Sequence, residues 1–212
     1  MLIIHHLATS QSERIIWLCE ELAIPFELKH YQRDSVTRLA PPELKEVHPL
    51  GSAPVITDGD LVLAESGAIV EYIVAKYGGG RLELGPEHPE FANYLYWFHF
   101  ANGNLQPKIV QNLLLNRLSL PSDHPILVST RSRLIRVFEL LDARLREVPC
   151  LAGEFTVADI MLVFSLTTMR LFFPFDLAPY ENIKAYLKRM GDRPAYRRAM
   201  AKGDPDLVPM LA

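Results

Sequence analysis

The apolar pattern changes period twice within the first third of the chain. Leu2, Ile3 and Ile4 lead into His5-His6 as a β-rich run. Ile15, Leu18, Cys19 and Leu22 then recur at i, i+3, i+4 and i+7, while Ser12, Glu13, Glu20 and Glu21 are polar, and Phe26 to Tyr31 is strand-like again. Strand, helix, strand in this order predicts a parallel pair with a right-handed crossover and a sheet covered by helix. A short helix started by proline is expected over 41–47. Val55 to Thr57 and Leu61 to Ala64 flank Asp58-Gly59-Asp60, a hairpin signal because the glycine supplies a positive φ. Ser66 to Tyr77 reads as a helix with Ser66 as its N-cap and Gly78-Gly79-Gly80 as its stop. The predicted order is βαβαββα.

Beyond the glycines, residues 81–89 contain Gly85-Pro86 and His88-Pro89 and read as a linker. No strand pattern follows. Tyr94 to Phe100 is almost solidly aromatic, which on a helix means burial on several faces and suggests a place between domains. Leu134, Val137, Phe138, Leu141 and Leu145 mark a long helix with arginines on its outer face, and further helices are expected over 156–171, 181–190 and after Pro194. The domain expectation is therefore α/β over 1–80, a linker over 81–89, and an all-helical domain over 90–212. Thr156-Val157-Ala158-Asp159 reads as a capping box with Asp in place of Glu, and Phe155 as its hydrophobic staple; an ordinary helix start is the alternative.

Composition narrows the class without naming it. The chain has 212 residues, 49% of them hydrophobic and 22% charged, with mean hydropathy +0.08, as expected of compact domains that need no disulfides. A net charge of -3 offers no basic surface for nucleic acid or an anionic membrane. No apolar run approaches the roughly 18 residues of a membrane span, and the N-terminus lacks the features of a signal peptide, so a cytoplasmic location is expected. Cys19 and Cys150 form no metal-binding or redox spacing and read as packed thiols in a reducing compartment. No metal-ligand cluster is evident.

Several motifs together resemble the cytosolic glutathione transferase superfamily. Leu50-Gly51-Ser52-Ala53-Pro54-Val55-Ile56 is similar to its cis-proline loop, and Glu65-Ser66-Gly67-Ala68-Ile69 to its Glu-Ser element. Gly153-Glu154-Phe155-Thr156-Val157-Ala158-Asp159-Ile160 is similar to its capping box and staple, and Arg193-Pro194-Ala195-Tyr196 lies in a tail like its closing helices. The resemblance implies a thioredoxin-like N-terminal domain binding glutathione, a helical domain, and a homodimer. His5-His6-Leu7, Trp17 to Leu22 and His48-Pro49-Leu50-Gly51 resemble a bacterial and fungal branch related to the yeast nitrogen-regulator prion protein, which includes both enzymes and regulatory proteins.

The chemistry implied is thiolate stabilisation. A glutathione thiol, like free cysteine, has a pKa of about 8.5 and is mostly protonated at neutral pH. Ala8-Thr9-Ser10-Gln11-Ser12 brings three hydroxyls to the start of a helix, where backbone N–H groups also favour an anion. By resemblance Ser10 falls at the catalytic hydroxyl of serine-type members and Thr9 at that of a sister class, with Ser10 preferred; read from the residues alone, Ser12 caps the helix and the others are loop. The loop holds neither cysteine nor tyrosine, which disfavours redox chemistry by a protein thiol. The resemblance further implies that a cis Pro54 exposes the Ala53 backbone to pair with the glutathione peptide, that Ser66 receives the γ-glutamyl carboxylate, and that Glu65 pairs with the amine. Many relatives in this branch carry a basic residue where this chain has Ser52 in the glutathione-binding turn, so affinity for glutathione is expected to be modest unless Arg14, Lys45 or a second subunit supplies charge for the glycine carboxylate.

The second substrate, a small apolar electrophile or an organic peroxide, is expected against Tyr94, Trp97, Phe98 and Asn102. These positions also suit core packing. His5, His6 and His99 have no carboxylate at suggestive spacing and read as packing or surface residues. The functional expectation is glutathione conjugation or peroxide reduction. The alternatives are a glutathione-binding regulatory protein with little turnover, or a narrow-specificity glutathione-dependent isomerase or dehalogenase.

Overall fold

The computed structural model describes residues 1–211, which form two compact units. The first comprises residues 1–83 and 191–209, the second 84–190 with 210–211. The helical domain expected over 90–212 thus loses its final helix to the N-terminal unit, for a packing reason given below.

The first unit is a four-stranded mixed sheet in the order β2-β1-β3-β4, made of β1 (Leu2–Leu7), β2 (Phe26–Tyr31), β3 (Val55–Asp58) and β4 (Leu61–Ala64). β1 pairs parallel with β2, and β3 pairs antiparallel with both β1 and β4. Between them run α1 (Glu13–Leu22), α2 (Glu43–Val47) and α3 (Ser66–Ile73), the last continuing through a π turn to Gly78. This is the expected βαβαββα order in a thioredoxin-like arrangement. Side chains alternate across a strand, so the two adjacent histidines of β1 face opposite sides of the sheet. His5 bonds the Tyr31 hydroxyl at 2.9 Å, on the side where Leu7 and Tyr31 pack on Leu44 of α2. His6 turns to the α1 side.

α1 departs from its pattern. Ile15, Leu18, Cys19 and Leu22 are buried as expected, but so are Ser12, Glu13 and Arg14 on the side read as polar. Arg14 turns to Ser66 at the start of α3 and Ser12 to His6, while α9 (Pro194–Gly203) packs along the rest of α1 within this unit, with Tyr196 edge-on to Trp17 at 4.9 Å. Arg193 makes a two-pronged pair with Glu21 at 2.6 and 2.8 Å, and Glu20 accepts from Arg198 and Lys202. Burial raises the Glu20 carboxyl, but its bonds to Lys202 and Arg198 outweigh that and hold it below its ordinary value. A depressed carboxyl contributes stability above the unfolded-state pKa and loses it as pH falls through the folded one. Amide protection factors in residues 194–203, the intrinsic exchange rate divided by the observed rate at the same pH, should therefore fall selectively as pH drops below 4.5; protection that falls no more than that of α3 would contradict this.

The second unit is helical. α4 (Phe91–Phe100) passes through a π turn at Ala101–Leu105 into α5 (Gln106–Asn116); α6 (Pro125–Glu147), α7 (Val157–Leu166) and α8 (Glu181–Gly191) follow. Every residue of α7 is buried. The capping box is present: Ala158 N–H donates to Thr156 Oγ1 at 3.3 Å and Thr156 N–H to Asp159 Oδ2 at 2.9 Å. Asp159 Oδ1 also accepts from Leu151 N–H and the Tyr186 hydroxyl, both at 3.0 Å. Leu134, Val137, Phe138, Leu141 and Leu145 form the buried face of α6. On α4, Tyr94, Trp97, Phe98 and Phe100 are buried while Leu95 and Tyr96 are exposed, so the aromatic run is one-sided rather than enclosed.

Candidate active site

Strand register gathers the candidate residues at one end of the sheet. His5 pairs with Val55 and Val55 with Ala64. Because β1 and β4 both run antiparallel to β3, the loop after β1, the Ala53-Pro54 peptide before β3 and the Glu65-Ser66 start of α3 all emerge together. The Ala53-Pro54 bond is cis. Ala53 is half-buried beside the Leu7, Tyr31 and Leu44 cluster, and Ser52 is exposed.

Ser10 is 5% exposed and sits before the first turn of α1. Its Oγ accepts from Ser12 N–H at 3.3 Å and lies 2.7 Å from Ser12 Oγ. Ser10, not Ser12, therefore satisfies an N–H at the helix start. The Ser12 side chain makes no capping bond, which corrects the capping role expected for it, and instead lies 2.8 Å from His6 Nδ1. Thr9 holds a left-handed φ of 52°, a costly conformation for a β-branched residue. Three contacts hold it there: its N–H donates to Asp204 Oδ1 at 2.9 Å, its hydroxyl to Ala8 O at 2.8 Å, and Arg33 donates to its carbonyl. With the Thr9 hydroxyl proton committed to a backbone carbonyl, Ser10 is the better placed of the two donors.

His6 has the carboxylate partner that its sequence neighbourhood lacks. Its Nε2 lies 3.3 Å from Asp204 Oδ2, with both side chains almost fully buried. Neither atom completes an aligned hydrogen bond, so the contact is an electrostatic one. Burial raises the Asp204 carboxyl, but His6, the Thr9 N–H and His30 together bring it below its ordinary value, so it is ionised at neutral pH. Gly203 makes this approach feasible, since a Cβ there would come within 3.0 Å of Ile16 Cδ1 and 3.3 Å of the His6 ring. No sequence signal could have found Asp204, which stands 195 positions from Thr9.

At the α3 end, Ser66 is the first helical residue and Glu65 takes the cap position with φ 71°, one residue earlier than the N-cap expected at Ser66. The first N–H groups of a helix have no acceptor within it, which suits them to a carboxylate. Buried Arg14 donates to Gln11 Oε1 at 2.6 Å and to Ser66 Oγ at 3.3 Å. Burial brings its guanidinium down to about 9, still charged at neutral pH. Arg14 thus bridges Gln11 of the hydroxyl loop and Ser66 at the start of α3. The Lys45 stem, by contrast, crosses Gly51, where a Cβ would lie 3.1 Å from Lys45 Cε. In the helical unit Tyr94, Trp97 and Phe98 are buried on α4, and Asn102 occupies the π turn.

The remaining chemistry is sparse. Cys19 is fully buried, and burial pushes its thiol up to about 12. Among the described residues no group of three or more His, Cys, Asp or Glu could hold a metal ion, and no helix is long and apolar enough to cross a membrane.

The cis-proline loop, the hydroxyl-bearing loop and the helix start on a thioredoxin-like sheet, together with a helical unit, define a glutathione-dependent class of protein. The glutathione S-transferase N-terminal domain family matches residues 3–75 and the corresponding C-terminal domain family residues 90–189. Glutathione S-transferase 3 of Schizosaccharomyces pombe is 31% identical, covering 100% of this chain and 92% of its own length. A glutathione S-transferase crystal structure from Actinobacillus pleuropneumoniae superposes with a TM-score of 0.88 at 33% identity, over 96% of this chain and 93% of that one. The disulfide-bond oxidoreductase YfcG of Escherichia coli is 32% identical over 76% of this chain and 77% of its own. The chain belongs to the glutathione S-transferase family.

Proposed function

We propose that this chain is a serine-type glutathione transferase that stabilises the glutathione thiolate for attack on a small electrophile or an organic peroxide. The observation carrying this reading is the Ser10 hydroxyl, set at the helix start among Ser12 N–H and Ser12 Oγ. Hydrogen bonds aimed at developing charge in a sheltered site are the largest single source of such stabilisation. Ala53 beside the cis proline presents its backbone to the glutathione peptide. Ser66, which accepts from Arg14 at the start of α3, meets the γ-glutamyl carboxylate, and Glu65 meets the amine. On the electrophile side stand Tyr94, Trp97, Phe98 and Asn102; the π turn at Asn102 supports this, since such turns concentrate at functional sites. The residues His5-His6-Leu7 and His48 to Gly51 support placement beside the branch of the yeast nitrogen-regulator prion protein, and the family resemblance supports a cytoplasmic homodimer.

The test is turnover of a chlorinated dinitrobenzene and of cumene hydroperoxide with glutathione. Measurable glutathione binding without turnover of either would overturn the transferase reading, and absence of disulfide reduction as well would favour a regulatory binding protein. One comparison favours a second reading, because a 32% identical relative is a disulfide-bond oxidoreductase. The same thiolate would then attack a disulfide sulfur, and reduction of hydroxyethyl disulfide in preference to both other substrates would select it.

Lys45 supplies the charge for the glycine carboxylate in place of a basic residue at Ser52. Lys45→Ala should raise KM for glutathione by about fivefold, the worth of one exposed ion pair, and leave kcat unchanged. An unchanged KM assigns that contact elsewhere.

A further inference from the structure

Ser10, Ser12, His6 and Asp204 form one continuous buried chain: 2.7 Å between the two serine oxygens, 2.8 Å from Ser12 Oγ to His6 Nδ1, and 3.3 Å from His6 Nε2 to Asp204 Oδ2. All four residues are less than 9% exposed. Two neighbouring hydroxyls, a histidine and a carboxylate in series do more than hold a helix start in place.

We propose that His6 is the proton acceptor for the glutathione thiol, reached through Ser12 and Ser10 and held in the required tautomer by Asp204. The inference rests on the serine-type reading above and adds the destination of the thiol proton. The ionised Asp204 carboxylate 3.3 Å from Nε2 favours the neutral tautomer with its proton on Nε2 through electrostatic attraction, without an aligned bond. Nδ1 then accepts from Ser12 O–H and Ser12 Oγ accepts from Ser10 O–H. A lone pair of Ser10 Oγ is left for the incoming S–H.

Transfer reverses every link. The sulfur proton passes to Ser10 Oγ as the Ser10 proton passes to Ser12 and the Ser12 proton to Nδ1. One S–H bond breaks, one N–H bond forms, and the electron pair stays on sulfur. The products are a thiolate accepting from Ser10 O–H and an imidazolium facing the Asp204 carboxylate. The contact between Nε2 and Oδ2 gains attraction when His6 becomes charged, so it favours the thiolate side. After sulfur attacks and a leaving group departs with its electron pair, the Nδ1 proton returns through Ser12 and Ser10 to the leaving group or to water at the sulfur position, which restores the resting chain.

The surroundings favour a base at this place. His6 is faced by Ser12 and Ile16 from the α1 side, Gly203 and Asp204 at the end of α9, and His30 of β2, edge-on at 5.5 Å. Burial and the neighbouring His6 both lower the His30 pKa, so it remains neutral and does not compete for Asp204 at neutral pH. Asp204, His30 and Gly203 also line a cleft of about 420 Å³, while His6 itself is fully buried.

The experiment follows thiolate ultraviolet absorbance of bound glutathione against pH in the wild type, His6→Gln, Ser12→Ala and Asp204→Asn. Binding of S-methylglutathione, which has no thiol proton, reports on an intact site. His6→Gln and Ser12→Ala should each show about tenfold to a hundredfold less thiolate at pH 7 and recover at alkaline pH, with the double variant no worse than either single one. S-methylglutathione affinity should be unchanged. Thiolate titrations matching the wild type in both variants, or losses equal at every pH, would overturn the relay. If His6→Gln does not fold, Ser12→Ala alone decides, because it cuts the wire and leaves the pair of His6 and Asp204 in place. Absence of thiolate in the wild type would instead overturn the serine-type reading itself.

Discussion

Ser10→Ala is expected to lower kcat/KM for glutathione conjugation by about a hundredfold, close to 3 kcal/mol of transition-state stabilisation. If Ser10 contacts the sulfur and Ala53, Glu65 and Ser66 hold the rest of glutathione, as proposed above, the loss falls on kcat. Thr9→Ala should cost much less. Its hydroxyl proton is bound to the Ala8 carbonyl, and the Thr9 contact that shapes the loop is its backbone N–H to Asp204, which the substitution retains. Steady-state kinetics on the two variants separate the roles. Activity kept in Ser10→Ala and lost in Thr9→Ala would transfer the thiolate contact to Thr9.

Asp159→Ala should be the most damaging substitution outside the site. Its carboxylate is the acceptor for Leu151 N–H, Thr156 N–H and the Tyr186 hydroxyl, all buried. Burial pushes the Asp159 carboxyl up to about 6 against the pull of these donors, and at neutral pH it remains a carboxylate accepting from all of them. The Tyr186 phenol is raised well above its ordinary value, chiefly by burial, so it stays a donor throughout the working range. Each donor orphaned in the interior costs about 1–3 kcal/mol. A combined loss of about 4 kcal/mol is a large part of the stability of an ordinary domain and should lower Tm by roughly 10 °C. Thr156→Ala removes only a capping hydroxyl and should cost about 1 kcal/mol. Thermal unfolding of both variants checks the ranking, and equal losses would mean that the box acts only as a local cap.

The two sites differ in how far the sequence revealed them. The capping box lies within four consecutive residues, and an N-cap bond is made by neighbours in the chain, so Thr156 and Asp159 could be assigned from spacing alone. The same holds for the hairpin at Asp58-Gly59-Asp60, where Gly59 has the φ of 61° that a tight turn requires. Tyr186 as a third partner of Asp159 was not legible, because it belongs to α8 and meets the box only in the folded unit.

The same division runs through the glutathione half. Apolar period, turn residues and caps operate over one or two turns of chain, and they determined the βαβαββα order, the strands Phe26–Tyr31 and Leu61–Ala64, and the hydroxyl loop at Thr9 and Ser10. Buried polar residues follow a different logic, since their partners are set by whichever element packs over them. Ser12 reads as a cap and His6 as a packing residue until α9 lies along α1, Gly203 lets the backbones approach, and Asp204 arrives 195 positions from Thr9. The tertiary structure alone decided that Ser12, the third hydroxyl of the loop, faces a histidine paired with a carboxylate, because only long-range packing brings Asp204 to His6 away from water.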